Sequence, residues 1–303
     1  MEERIRIRAY QQAVEALPLE LRQRALSISL EGQAQAEEIR LRIGRPLSVV
    51  FPEEERVLGG PKVEQRELEQ IVELASRASV HTVLEQVRQG FLTMRGGHRI
   101  GLCGSAVMRE GEVHHIGRYS SANLRIARQV LGAADPVIEP LCPEGKFSST
   151  LILAPPGLGK TTLLRDVIRQ VSNGIHCAPL RVSIADERGE VAALYQGYPQ
   201  MDVGSRTDVM EGATKAQSLM LLLRAMNPQV LAVDEITAPE DIAALRLAAG
   251  CGVTLLATAH GEGREDLERR ALYRPLLEEG LFHKLVRIRR EGGRRYYHIE
   301  ELG

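Results

Sequence analysis

The sequence predicts an α/β fold with two unequal domains. From Ser148 onward, short apolar runs alternate with amphipathic segments, which favours a parallel sheet with crossover helices. The first 135 residues instead mix strand-like alternation with helical periodicity, which favours a smaller α+β domain. The segment 132–146 has three prolines, two glycines and no periodicity. We therefore predict domains at 1–135 and 148–303, joined by a linker at 136–147.

The elements of the N-terminal domain follow from their periodicity. Two helices and two strands are predicted at 17–30, 67–88, 39–43 and 47–51. The paired glycines Gly96 and Gly97 supply the positive φ that a tight turn needs, so a β-hairpin is predicted from 91–94 and 98–108. A second turn is predicted at 110–112.

The C-terminal domain is predicted to alternate strands with helices. Its strands are predicted at 150–154, 181–185, 230–233 and 253–257, and its helices at 161–171, 213–226 and 239–249. A glycine-containing turn at 291–293 separates two further strand-like runs, which predicts a terminal hairpin at 284–299.

Charge and composition exclude several classes of function. The 303 residues carry 39 basic and 40 acidic side chains, so the net charge of −1 excludes a global basic field for nucleic acid or anionic lipid. The four cysteines are isolated from one another, which argues against a zinc site. No apolar run approaches the roughly 20 residues of a membrane span, and the N-terminus is charged. We expect a cytoplasmic protein, recruited to a membrane only through partners.

The strongest motif, APPGLGKTT at 154–162, follows an apolar strand and begins a helix. Gly157 and Gly159 allow backbone amides to turn around a phosphate, and the helix offers its positive end. Lys160 supplies a charge for the β- and γ-phosphates, and the Thr161 hydroxyl suits Mg²⁺. The motif predicts ATP and Mg²⁺ as ligands. The predicted nucleotide-binding residues are Pro155, Pro156, Gly157, Leu158, Gly159, Lys160, Thr161 and Thr162.

Acidic residues follow two of the predicted strands. In VLAVDE, Asp234 would hold Mg²⁺, and Glu235 would orient or deprotonate the attacking water. In IADERGE, Glu187 ends the first strand after the phosphate loop and competes with Glu235 for the role of base. Both acids are expected at the carboxyl edge of the sheet, where ligands of α/β proteins bind. The choice between the two glutamates stays open at this point.

A third strand end and several arginines complete the candidates. In TLLATAH, Thr258 or His260 could sense the γ-phosphate. Arg206 and Arg224 could stabilise transition-state charge across a subunit boundary, although a salt bridge or a helix C-terminal contact would also explain them. Arginines of the N-terminal domain could reach a neighbour's nucleotide as well; these are Arg99, Arg125 and Arg128.

The order of the motifs APPGLGKTT, DERGE, LLLRAMNP, VDEI and TAH resembles that of the ATPases of type II and type IV secretion and pilus retraction. The resemblance implies a RecA-like P-loop ATPase domain, with Glu235 as the Walker B glutamate and His260 as the last histidine of the His box. Val253 stands at the earlier His-box position, and Asp234 stands where that family usually has glycine. The segment 186–195 also resembles the glutamate-bearing loop of rotary and type III secretion ATPases, which supports Glu187.

Segments at 38–47, 96–102, 123–128 and 202–208 resemble a sporulation branch of this family, ATPases presumed to serve the channel between mother cell and forespore. The resemblance implies a hexameric ring that couples ATP hydrolysis to assembly or transport by a membrane complex. The alternative is a nucleic-acid-handling P-loop ATPase, favoured by the basic stretch 284–295. We interpret that stretch as the solvated face of a hairpin, and nucleic acid is not an expected partner.

Overall fold

The computed structural model describes residues 2–75, 90–109, 111–292 and 294–302. The chain forms two compact units. The first contains residues 1–128 together with Ala193–Gln200, and the second contains Gln129–Ala192 and Met201–Gly303. No described helix has the length and apolar character needed to cross a membrane.

The first unit packs helices against a six-stranded antiparallel sheet. Its described helices are α1 (Glu2–Ala13), α2 (Leu19–Leu26), α3 (Leu30–Gln35) and α4 (Gln65–Ala75). Its sheet strands are β1 (Glu38–Arg42), β2 (Ser48–Val50), β3 (Glu55–Val57), β4 (Phe91–Thr93), β5 (Arg99–Arg109) and β6 (Glu112–Arg125). The strand order is β3-β2-β1-β6-β5-β4, and the core lies between this sheet and the helices.

The helix predicted at 17–30 is wrong as a single element. Within that range only Leu19–Leu26 is helical, as α2; α3 begins at Leu30, and the Ser29 side chain caps it by accepting a hydrogen bond of 3.1 Å from the Gly32 amide. Serine side chains compete for backbone groups and therefore favour a helix start over a helix interior. The predicted helix at 67–88 is present as α4 up to Ala75, and its remainder lies outside the described residues.

A buried histidine lies in the core of the first unit. His98 is 1% exposed, and its Nδ1 accepts a hydrogen bond of 3.0 Å from the Ala127 amide. The proton of the neutral ring is therefore on Nε2, which has no partner within the described residues. Burial lowers the pKa of His98 from 6.5 to about 4.

This histidine makes the unfolding free energy depend on pH. The unfolded chain takes up the His98 proton first, so stability falls as the pH drops from about 6.5 towards 4. Between pH 7 and pH 5 we expect a loss of about 2 kcal/mol in urea denaturation from this residue. In His98→Asn, the amide oxygen can still accept the hydrogen bond from the Ala127 amide, but the side chain cannot titrate. The loss of unfolding free energy between pH 7 and pH 5 should therefore be about 2 kcal/mol smaller in this variant. Equal losses in the two proteins would contradict this assignment.

The second unit is built on a seven-stranded sheet. Its helices are α5 (Asp135–Leu141), α6 (Lys160–Asn173), α7 (Lys215–Ala225), α8 (Pro239–Gly250), α9 (Arg264–Arg269) and α10 (Arg274–Glu278). In chain order the remaining strands are β7 (Thr150–Leu153), β8 (Val182–Asp186), β9 (Leu194–Tyr195), β10 (Tyr198–Pro199), β11 (Thr207–Glu211), β12 (Val230–Val233), β13 (Thr254–Ala259), β14 (Lys284–Glu291) and β15 (Arg294–Glu301). β9 and β10 form a short ribbon that belongs to the first unit.

The order of the sheet is β11-β8-β12-β13-β7-β14-β15. Every neighbouring pair is parallel except the terminal hairpin of β14 and β15. The carboxyl ends of β7, β8, β12 and β13 therefore lie at one edge of the sheet, with β13 between β7 and β12. A large apolar cluster on one face of this sheet contains buried residues of α7 and α8. The segment predicted as a linker contains most of the short helix α5.

Candidate functional site

The phosphate loop connects β7 to α6. Gly157 and Gly159 have φ values of 78° and 96°, which an L-residue with a side chain rarely adopts. The buried Lys160 ammonium lies 3.1 Å from the Ala154 oxygen, 3.4 Å from the Pro155 oxygen and 2.8 Å from His260 Nδ1. Burial lowers the pKa of Lys160, while the nearby charges of Glu235 and Asp234 oppose this effect. The loop thus presents a cation and a helix N-terminus to the same place.

Two hydroxyl groups hold the Asp234 carboxylate. Thr161 Oγ1 donates to Asp234 Oδ2, and Thr258 Oγ1 donates to Asp234 Oδ1, both at 2.8 Å. The three residues come from the start of α6, the end of β12 and β13, so the strand order brings them together. Burial raises the pKa of the Asp234 carboxyl, and the two hydroxyl hydrogen bonds oppose the shift.

Glu235 has a constrained position beside His260. Its backbone φ is +53°, uncommon for a residue other than glycine and a sign of local strain. The Glu235 amide donates to Thr258 Oγ1 at 2.8 Å, which fixes the end of β12 to β13. Glu235 Oε1 lies 2.9 Å from His260 Nε2. Because the Lys160 ammonium can only donate to His260 Nδ1, a neutral imidazole carries its proton on Nε2 and donates it to Glu235.

The acidic loop after β8 is folded around Asp186. Its buried carboxylate accepts hydrogen bonds from the amides of Glu190, Val191 and Ala192. Burial raises the pKa of Asp186, and these amide bonds oppose it. Arg165 of α6 donates to the main-chain oxygens of Glu190 and Val191, each at 2.6 Å. Asp186 therefore organises the loop, and the loop is attached to the helix of the phosphate site.

Glu187, the next residue, is paired with a buried lysine. Lys215 Nζ, on the first residue of α7, lies 2.7 Å from Glu187 Oε2 and 4.0 Å from Asp241 Oδ2. Asp241 in turn accepts hydrogen bonds from the amides of Thr237 and Ala238. A cleft of about 30 Å³ separates Glu187 from Glu235, with room for roughly one or two water molecules.

Replacing Lys215 by Met is expected to lower the free energy of unfolding by about 1–3 kcal/mol. The side chain of Lys215 is only 9% exposed, so its removal leaves Glu187 and Asp241 without their cation in a partly desolvated site. The change is measured by chemical denaturation. Arg264→Met, which breaks the exposed pair with Glu268, is the control and should cost less than about 0.5 kcal/mol.

A double variant tests the coupling directly. Lys215→Met combined with Glu187→Gln should cost less than the sum of the single variants, because each removes the other's partner. If the loss of unfolding free energy in the double variant equalled the sum of the two single losses, a direct ion pair between Lys215 and Glu187 would be contradicted.

The sequence-predicted arginines lie away from this site within the unit. Arg206 is exposed immediately before β11 and donates to the Pro179 oxygen at 3.3 Å. Arg224, near the end of α7, lines a cleft of about 880 Å³ with residues that precede β8, β12 and β13. Both arginines are therefore at the opposite edge of the parallel sheet. The structure groups Lys160, Thr161, Asp234, Glu235 and His260, with Glu187 across a small cleft.

Sequence reasoning missed Lys215 and Arg165 as parts of this region. One signal was available for Lys215, because a lysine at the first residue of a helix opposes the helix dipole and calls for an acidic partner. Arg165 gave no such signal, since its partners are main-chain oxygens of a loop 25 and 26 residues away.

A family model described as sporulation stage III, protein AA matches residues 8–297. The chain belongs to this family. The stage III sporulation protein AA of Bacillus subtilis (strain 168) is 37% identical over 281 residues, which cover 92% of this chain and 91% of that relative. The predicted relationship to sporulation proteins is therefore confirmed, and the match extends over both units.

Solved structures show the fold of this member of the stage III sporulation protein AA family. The Legionella pneumophila ATPase DotB matches with a TM-score of 0.58 at 16% identity, covering 88% of this chain and 76% of its own. The pilus retraction motor PilT, solved with ADP, matches with a TM-score of 0.56 at 19% identity, covering 88% and 79%. The predicted α/β fold with a smaller N-terminal domain is confirmed, and it is the fold of the ATPases DotB and PilT.

Proposed function

We propose that this protein is an ATP-hydrolysing motor subunit that serves a membrane complex during sporulation. The observation that carries the proposal is a continuous set of contacts from the phosphate loop to an acid. Lys160 contacts His260, and His260 contacts Glu235. A phosphate loop, a candidate base and a side chain that links them thus occur in one chain.

The Lys160 contacts suggest how nucleotide would reach the candidate base. Phosphate oxygens bound in the loop would attract the Lys160 ammonium away from its two loop carbonyls and from His260. His260 Nδ1 would then be free to accept a hydrogen bond from a water molecule beside the phosphate, while Nε2 still donates to Glu235. His260 would in this way couple phosphate binding to the Glu235 carboxylate, which we propose activates the attacking water.

We propose Glu235 as the general base. Its carboxylate accepts a hydrogen bond from the His260 imidazole and interacts with the Lys160 ammonium at longer range, whereas the Glu187 carboxylate is in direct contact with the Lys215 ammonium at 2.7 Å. A carboxylate held by an ammonium is a weaker proton acceptor than one held by a neutral donor. Glu187 is assigned to the acidic wall of the cleft, where with Lys215 it would help to position the attacking water.

The residues present fit Mg²⁺ bound together with phosphate. The Thr161 hydroxyl and the Asp234 carboxylate are hard oxygen donors whose atoms are 2.8 Å apart. Across the described ranges, no group of three or more His, Cys, Asp or Glu side chains could hold a metal by itself. Mg²⁺ suits such a site, because it keeps waters and phosphate oxygens as ligands. The bound ion would neutralise charge on the β- and γ-phosphates.

The motor part of the proposal rests on family membership and on the fold shared with DotB and PilT. We propose a hexameric ring in which Arg206, Arg224 or an arginine of the first unit approaches a neighbour's nucleotide. The mass of the protein in solution, measured with and without MgATP, tests this. Nucleotide-dependent assembly is expected, and a monomer at all ATP and protein concentrations would contradict a ring.

Hydrolysis itself is tested by phosphate release from ATP by the full chain. We expect turnover that requires added Mg²⁺ and stops when the ion is chelated. The Asp234→Asn variant, which weakens the proposed ion site, should need a higher Mg²⁺ concentration for half-maximal turnover. Absence of turnover with and without membrane-complex partners would contradict the proposal.

A further inference from the structure

The tip of the terminal hairpin extends past the phosphate-loop edge of the sheet. Strand β7 ends at Leu153, which is paired with Arg287 of β14. β14 continues four residues further to Glu291 before the chain returns through β15. The tip of the hairpin therefore runs beside residues 154–159, the phosphate loop.

One face of this hairpin is turned towards the phosphate-loop helix. Residues paired across neighbouring strands share a face of the sheet, so Ile152, Val286 and Ile299 lie on one side. Their neighbours Leu151, Leu153 and Leu285 belong to the apolar cluster that includes α7 and α8 on the other side. Arg295 lies four residues before Ile299 on the same strand, so its side chain is on the same face as Ile299, the face on which α6 lies.

Arg295 reaches the loop itself. A Cβ placed on Gly159 would lie 3.1 Å from Arg295 Cζ and 3.2 Å from Arg295 Nη2. The guanidinium thus rests against the backbone of the glycine that immediately precedes Lys160, so close that an added Cβ would have to displace it by a few tenths of an ångström. On Gly157, by contrast, an added Cβ would meet nothing within 4 Å, so this side of the loop is open to a ligand.

The Arg295 guanidinium adds a positive charge beside the phosphate loop that no described acidic side chain neutralises. Within the ranges that the structure describes, the exposed Arg295 side chain has neither an ion-pair partner nor a hydrogen-bond acceptor. Lys160, the α6 N-terminus and the loop amides already attract an anion to the same place. A guanidinium has five donors and no acceptor, and its planar fork matches phosphate oxygens.

We propose that Arg295 binds the phosphate chain of the nucleotide held by the phosphate loop of its own chain, which makes the terminal hairpin part of the nucleotide site. This inference rests on the proposed function. It gives Arg295 a ligand, whereas the other basic residues of the stretch 284–295 are assigned no contact with the nucleotide.

The test is the equilibrium affinity of the full-length protein for MgADP, measured by calorimetry. Arg295→Ala should weaken ADP binding roughly 10- to 100-fold, the effect of losing one charge-assisted interaction with phosphate. Arg294→Ala is the matched control, because it removes the same charge one residue away on the opposite face, and it should change the affinity less than about threefold. Arg295→Lys should give an intermediate value, since it keeps the charge but loses the fork.

The outcomes separate this inference from the proposed function. If the wild-type protein binds MgADP and Arg295→Ala binds it as tightly as Arg294→Ala does, the inference is overturned and the function stands. If the wild-type protein binds neither MgADP nor MgATP, both are overturned. If Arg295→Ala lowers binding of a single-stranded oligonucleotide but not of MgADP, the hairpin serves nucleic acid and the inference is wrong. Thermal unfolding of each variant verifies that it is folded.

Discussion

Replacing Glu235 by Gln is expected to slow steady-state ATP hydrolysis by about 100-fold or more. The amide keeps the size of the side chain and can still accept the proton that His260 Nε2 donates over 2.9 Å. It cannot accept a proton from water, so turnover should fall while nucleotide binding persists. Phosphate release gives kcat, and equilibrium titration with MgATP gives the affinity, which should change less than about threefold.

Glu187→Gln is the matched control for this result. The same chemical change is made at the carboxylate that Lys215 already neutralises, and we expect turnover to stay within about tenfold of the wild-type value. If Glu187→Gln proved the more damaging variant, the base would be Glu187, and the functional assignment of the two glutamates would have to be exchanged.

Replacing Lys160 by Ala is expected to weaken MgATP binding by roughly 100-fold or more. The ammonium is the buried cation of the loop, and its removal also takes away the donor that fixes the His260 tautomer. Binding is measured by calorimetry, so the result does not depend on hydrolysis. Lys146→Ala, an exposed lysine that lines the cleft at the opposite edge of the sheet, is the control and should bind as the wild type does.

A second readout identifies the cause of the Lys160→Ala effect. If the lysine acts on nucleotide, the variant should unfold at a temperature similar to that of the wild type without ligand but should no longer be stabilised by MgATP. A large loss of stability in the ligand-free protein would contradict a role specific to nucleotide.

Much of the second unit could be predicted from its sequence, because its signals are local. The phosphate loop needs particular residues at fixed spacing, and buried parallel strands are continuous apolar runs such as 230–233. The acids that follow these runs then had to meet at one sheet edge. The side-chain contacts at that edge could not be predicted. The ion pair between Lys215 and Glu187 and the hydrogen bonds from Arg165 to the acidic loop depend on how α6 and α7 pack.

Among the elements that were not predicted, β11 and α1 show the physical reasons most clearly. β11 is the edge strand of the sheet and is only half-buried, so its residues alternate weakly and no strand is predicted there. In α1, isoleucines alternate with arginines at positions 4–8, which imitates a strand, and the helix is fixed mainly by the buried Tyr10 and Ala13. In both cases tertiary packing outweighs the local pattern. The position of Arg295 against Gly159 likewise depends on the strand register of the terminal hairpin.

The most direct test of the account is steady-state phosphate release from saturating MgATP, measured side by side for the wild-type, Lys160→Ala and Glu235→Gln proteins. We predict turnover by the wild type and its loss in both variants, with binding lost only in Lys160→Ala. Turnover in Lys160→Ala equal to that of the wild type would contradict the central claim that this loop holds the nucleotide that is hydrolysed.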